Sequence, residues 1–122
     1  AVKIATLVHA EVSAEDLQNV NRIKVIEDLQ HNAIYFSRSA LPNMHYAKNS
    51  AFPWLRHIGL YAYRSEVLQH IAGLAPCALE QAESLEQLRW LYYGLPIRLV
   101  RTDIETPNID VPADLEKVLP FL

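Results

Sequence analysis

The chemistry-bearing residues concentrate in the stretch Trp54 to Arg64, which reads Trp-Leu-Arg-His-Ile-Gly-Leu-Tyr-Ala-Tyr-Arg. Successive strand residues face opposite ways, so Leu55, His57, Gly59, Tyr61 and Tyr63 share one side, and Trp54, Arg56, Ile58, Leu60 and Ala62 the other. At about 3.3 Å per residue, His57 and Tyr61 stand roughly 13 Å apart, and Gly59 projects nothing between them. That spacing admits two arrangements. It is either a slot for a small polar ligand, or a central strand whose imidazole and phenol satisfy each other or a nearby carbonyl. A second position with chemical potential is Glu86. Within Ala78 to Tyr93 the residues Leu79, Ala82, Leu85, Leu88, Leu91 and Tyr92 recur at helical spacing, which predicts one long amphipathic helix closed by Gly94. A carboxylate beside Leu85, one turn from Ala82 and Trp90, would be partly desolvated unless paired. Here too two readings stand, an ion pair with Arg89 three residues on, or a ligand contact.

The flanking elements must position these groups. Ala1 to Val8 reads as an apolar strand without a positively charged leader, so it is not expected to be a signal peptide. A chain opening on such a strand without methionine is expected to come from the middle of a longer product. Ser13, with Asp16 three residues on, caps a short helix through Asn19. Arg22 to Ile26 and Ala33 to Phe36 form a predicted hairpin about a turn at Glu27 to Asn32, and Ser39 to Pro53 reads as a long loop. Ser65 is placed as the N-cap of a helix through Ile71 that stops at Gly73. Ile97 to Val100 is a strand, Thr102 to Asn108 an irregular loop ahead of Asp110, and Pro112 opens a last helix from Ala113 to Val118. Strands interleaved with helices give an α/β class, a mixed sheet flanked by helices, in a single region spanning residues 1–122.

Composition narrows the function. Of 122 residues, 51% are hydrophobic and 20% charged, and charges interrupt every apolar run well short of the ~18 residues a membrane span requires. The net charge of −3, without a basic stripe carrying interleaved aromatics, argues against nucleic acid as a partner. One cysteine, Cys77, excludes an intrachain disulfide and a cysteine-zinc cluster, in keeping with a reducing, cytoplasmic setting.

Four motifs add a specific resemblance. Tyr35-Phe36-Ser37-Arg38, Leu55 to Arg64, Ser84-Leu85-Glu86-Gln87-Leu88-Arg89 and Ile109-Asp110-Val111-Pro112, in this order, resemble 3-deoxy-manno-octulosonate cytidylyltransferases, the CMP-Kdo synthetases. The resemblance covers nearly the whole chain and implies the carboxy-terminal half of a nucleotide-diphospho-sugar transferase-like fold. It implies transfer of CMP from CTP to the sugar acid Kdo, with release of pyrophosphate, magnesium as cofactor and a homodimer, in lipopolysaccharide assembly. Carried over by position, Arg38, His57, Tyr61, Glu86 and Gln87 become sugar-acid contacts and Asp110 a magnesium ligand. Their types suit the roles: guanidinium for a carboxylate, imidazole, phenol, carboxylate and amide for hydroxyls, and aspartate for a hard cation.

The family's phosphate-cradling loop and its upstream metal motif have no counterpart here. The three glycines, Gly59, Gly73 and Gly94, do not lie in a strand-to-helix phosphate loop, so the CTP-binding half is expected to be absent and the chain alone inactive, with no catalytic residue of its own. A non-catalytic sugar-acid or oligomerisation module, and a cytidylyltransferase for 8-amino-Kdo or sialic acid, are the alternative readings. The hairpin from Arg22 to Phe36 and the loop to Pro53, with Ile, Phe, Met and Tyr expected at the surface, is assigned to the dimer contact.

Overall fold

The computed structural model describes residues 1–10, 12–47, 52–103, 112–114, 116 and 119–121. Its strands are β1 (Ile4–His9), β2 (Lys24–Glu27), β3 (Ala33–Ser37), β4 (Leu55–Tyr63) and β5 (Arg98–Thr102), and its helices α1 (Ala14–Gln18), α2 (Met44–Ala47), α3 (Ser65–Ala72), α4 (Ala78–Glu83) and α5 (Gln87–Tyr92). The strands form one mixed sheet in the order β3-β2-β4-β1-β5, parallel only between β1 and β5. Ile4 and Val8 of β1, Val25, Phe36, Leu55 and Leu99 present one face, and Val67, Ile71, Leu88 and Trp90 from α3 and α5 close over it to make the core. Each such buried side chain contributes about 1.5–3 kcal/mol. The sheet also curls on itself: the Ala33 N–H donates to the Ile97 carbonyl and the Leu99 N–H to the His31 carbonyl, each at 2.8 Å, so the start of β3 meets the start of β5.

The α/β class, the hairpin and the Ser13 cap agree with the sequence reading. Ser13 Oγ accepts from the Asp16 N–H at 3.0 Å. Other elements differ. Ser65 is the first residue of α3 and Arg64 occupies the cap position. A short helix, α2, interrupts the long loop. Of the assigned dimer stretch, Leu29, Ile34 and Tyr46 are exposed, whereas Phe36 is wholly buried. Pro112–Asp114 is a 3-10 turn, and half of the expected last helix, like Asp110, lies outside the described residues.

The largest departure is the predicted helix from Ala78 to Tyr93, which is two helices. Ser84 takes the left-handed conformation (φ 54°, ψ 47°), and the Leu85 N–H returns to the Glu80 carbonyl, ending α4 before α5 begins. Gly94, at φ 82°, ends α5 as the glycine suggested, with the Leu95 N–H on the Trp90 carbonyl.

Candidate functional site

The site is built around an irregularity in β4. Thr6 of β1 pairs with Tyr61, but the next residue, Leu7, pairs with Ile58, so Gly59 and Leu60 are extra on β4 and bulge from the ladder. A bulge strips carbonyls of their partners, and the Thr6 hydroxyl lies within bonding distance of the carbonyls of Leu60 (2.9 Å) and Ile58 (3.2 Å). The same oxygen meets His57 Nε2 at 2.9 Å. The bulge also brings the His57 and Tyr61 rings to a centroid distance of 5.4 Å, which overturns the open 13 Å slot: the gap expected over Gly59 is closed by the two rings leaning together.

An aromatic wall follows. Phe36 meets His57 edge-on at 5.0 Å, Tyr61 stacks on Tyr63 at 5.8 Å, and Trp90 of α5 stands edge-on to both tyrosines at 5.3 and 5.6 Å. Burial lowers the His57 pKa to about 4, so the ring is neutral at pH 7. Tyr61 is pushed far above the usual phenol range by burial first, then by Tyr63 and Glu86, with the Thr6 hydroxyl offsetting a little. Burial and the Glu86 charge likewise raise Tyr63. Both phenols are therefore hydrogen-bonding groups, not proton-transfer bases, near neutrality.

Glu86 sits at the start of α5, exposed, rather than on a buried stripe. The expected desolvation and the Arg89 ion pair both give way, because the helix break leaves Glu86 exposed and Arg89 is engaged elsewhere. The Arg89 fork grips Glu80 through Nε (2.6 Å) and Nη2 (2.8 Å), while the Cys77 N–H also donates to Glu80 at 2.9 Å. The Arg89 hydrogen bonds, despite burial, hold the Glu80 carboxyl below its usual range. Glu86 lines an open cleft with Gln81, Ser84 and Leu85, and Gln87 is buried in the first turn of α5.

Arg38 and His57 line a different cleft, of about 430 Å³, with Asn21, Ile23 and the bulge residues Gly59 and Leu60. The Arg38 guanidinium is largely committed to backbone: Nε donates to the Glu83 carbonyl at 2.7 Å, Nη1 to that of Val20 at 2.8 Å and Nη2 to that of Ser84 at 3.1 Å. A guanidinium has five N–H groups, so one on each terminal nitrogen is left for a ligand. Glu83 completes the clasp, accepting from Ser37 Oγ (2.7 Å), Tyr35 OH (2.9 Å) and the Arg38 N–H (3.0 Å). Burial would raise its pKa, but these bonds outweigh it and lower it. Burial first, with the Glu83 bond, pushes Tyr35 up to about 12.

The structure thus brings Arg38 and His57 to one cleft, joins His57 to Tyr61 by ring contact, and links Tyr61 to Glu86 through charge. Gln87 has no described contact with that group, and Asp110 lies outside the described residues. Thr6 and Trp90 were missed by sequence reasoning. Thr6 falls at an inward position of an alternating strand, and Trp90 stands one turn past the buried Gln87 in α5.

A family profile described as "Cytidylyltransferase" matches residues 1–104. The chain belongs to the cytidylyltransferase family. Within this family it is 46% identical over 129 aligned residues to the 3-deoxy-manno-octulosonate cytidylyltransferase of Bacteroides thetaiotaomicron, covering 98% of this chain and 51% of that protein. It is 42% identical over 118 residues to the enzyme of the same name from Escherichia coli, covering 97% of this chain and 47% of that one. A solved structure of CMP:2-keto-3-deoxy-manno-octonic acid synthetase complexed with CTP superposes with a TM-score of 0.87 at 41% identity, over 99% of this chain and 49% of that chain. This cytidylyltransferase chain spans about half the length of the curated relatives it matches.

Proposed function

We propose that this chain is the sugar-acid-binding, carboxy-terminal half of an enzyme that transfers CMP from CTP to Kdo. The observation that carries the reading is the cleft lined by Arg38 and His57, with Tyr61 against the His57 ring, formed by residues that match the family's sugar-contacting motifs. In the reaction the anomeric hydroxyl oxygen forms a bond to the α-phosphorus of CTP and loses its proton to solvent, the bond from that phosphorus to the α–β bridging oxygen breaks, and pyrophosphate leaves with the electron pair. The chain's own part is to hold the acceptor. The two remaining Arg38 N–H groups suit the sugar carboxylate, and His57, Tyr61 and Glu86 suit the ring hydroxyls. Fixing the acceptor in line with a phosphorus held elsewhere lowers the entropic part of the barrier.

Magnesium, when bound, would neutralise phosphate charge. Among the described residues no group of three or more His, Cys, Asp and Glu could hold a metal ion. Asp110 is its proposed ligand here through the motif alone, with the rest of the coordination coming from outside the described residues. The enzyme is proposed to be cytoplasmic, where CTP is available, and homodimeric through the hairpin and α2, whose Leu29, Ile34 and Tyr46 are exposed apolar positions. No described helix is long and apolar enough to cross a membrane.

The test is pyrophosphate release with CTP, Kdo and magnesium, run on the intact gene product and on residues 1–122 alone. The intact product should turn over and the isolated chain should not. Turnover by residues 1–122 alone would remove the division of one site between two halves, and an intact product that ignores Kdo but accepts a sialic acid would reassign the substrate.

A further inference from the structure

We propose that Thr6 is a positioning residue that fixes His57 as a hydrogen-bond acceptor toward the cleft, and so selects a ligand that offers a hydroxyl donor there. This rests on the sugar-acid reading of the His57 cleft, to which it adds how one subsite discriminates.

The argument is proton accounting at a single oxygen. The Thr6 hydroxyl carries one proton and two lone pairs. It faces the carbonyls of Leu60 at 2.9 Å and Ile58 at 3.2 Å, which only accept, so its proton points to them, with Leu60 the nearer. Toward His57, 2.9 Å away, the oxygen can then only accept, and Nε2 must carry the ring proton. A neutral imidazole has one protonated nitrogen, which leaves Nδ1 bare. Among the described residues no donor meets Nδ1, while His57 itself lines the cleft beside Arg38 and Gly59.

The surroundings hold that arrangement. Thr6 is 2% exposed and His57 8%, and the ring is wedged between Phe36 and Tyr61, so neither ring flipping nor water easily replaces the Thr6 contact. The bulge is what makes Thr6 obligatory. Without two extra residues on β4, the Ile58 and Leu60 carbonyls would not converge on one hydroxyl, and Thr6 could donate to His57 instead, reversing the tautomer. A hydroxyl on the ligand is then favoured at Nδ1, and a ligand with only an acceptor at that point leaves two lone pairs facing each other.

Imidazole 15N spectroscopy at neutral pH reads the tautomer directly in residues 1–122, without any ligand. The wild-type protein and Thr6→Ser should show a pyrrole-type signal at His57 Nε2 and a pyridine-type signal at Nδ1. Thr6→Val, which keeps the shape but not the hydroxyl, should lose this single pattern. In the intact gene product Thr6→Val should raise the KM for Kdo about tenfold with the CTP KM unchanged, and Thr6→Ser should restore it. A wild-type His57 protonated on Nδ1, or a folded Thr6→Val with the wild-type signals, would overturn the role of Thr6. A tautomer that follows Thr6 while the Kdo KM stays fixed would instead overturn the sugar-acid reading of the cleft and the selectivity built on it. Should Thr6→Val not fold, the wild-type spectrum alone decides between the two tautomers.

Discussion

The two sides of the Ser84 break treat their carboxylates in opposite ways. In α4, Glu80 and Glu83 each accept three hydrogen bonds from side chains and backbone N–H groups, and both are held below the usual carboxylate range. Just beyond the Ser84 break, the Glu86 carboxylate has no hydrogen bond or ion pair among the described residues, although its charge reaches Tyr61 and Tyr63. A saturated carboxylate is a structural joint. One left unsaturated, with its charge felt by two phenols, is available to a ligand, and the comparison separates them by hydrogen-bond count, not by residue type.

The sharpest way to break that contrast is Glu83→Ala, which leaves the hydroxyls of Ser37 and Tyr35 and the Arg38 N–H without their acceptor. It should cost roughly 3 kcal/mol, seen as a lower urea midpoint at unchanged slope. Because the folded pKa of Glu83 is depressed, its stabilisation is present above its ordinary value of 4.5 and disappears as pH falls through the lower folded value; Glu83→Ala should flatten that acid limb. His57 supplies a second pH signature. Its folded value also lies below the ordinary 6.5, here because the neutral form is favoured by burial, so stability is full above 6.5, falls toward about 4 and levels off beneath it. The total is about 3 kcal/mol, and it should vanish in His57→Asn, measured by urea unfolding across that range.

On the other side of the break, Glu86→Gln should leave stability within about 0.5 kcal/mol while raising the KM for Kdo about tenfold or more in the intact product. An equal loss of stability would place Glu86 with Glu80 and Glu83. The smallest expected change is at the joint itself: Ser84→Gly relieves a left-handed residue and should stabilise by about 0.5 kcal/mol, with the Kdo KM unaltered.

The sequence made most of the framework legible because local rules agree with the fold there. The Ser13 cap, the hairpin and the Gly94 stop depend on contacts within a few residues. The break at Ser84 was hidden because Leu85 and Leu88 are still buried after it, so the apolar pattern runs through uninterrupted. What stops the helix is distant: Arg38 donates to the Glu83 and Ser84 carbonyls while Ser37 and Tyr35 of β3 hold the Glu83 carboxylate, a pairing no window of α4 can reveal. The bulge does leave a mark, since glycine within a strand is a common sign of one, but strand periodicity alone makes Gly59 read as empty space over a regular ladder. The site residues named from the motifs do cluster in part. Their hydrogen-bond partners do not follow from spacing, and the alternation that turns Thr6 inward does not show that it meets the bulge carbonyls.

The curl that joins the beginning of β3 to the beginning of β5 gives the sheet a property that its strand order alone would not. Outer strands of an open sheet ordinarily fray independently, each at its own free-energy cost. Here the amides of Ala33 and Leu99 are held by carbonyls of Ile97 and His31, so neither margin can loosen without releasing the other. Hydrogen exchange at these two positions should therefore be correlated, and peeling β5 away should also strip the hairpin turn of its anchor. The segment beginning at Ile97, far along the chain, acts as a latch for a hairpin made much earlier.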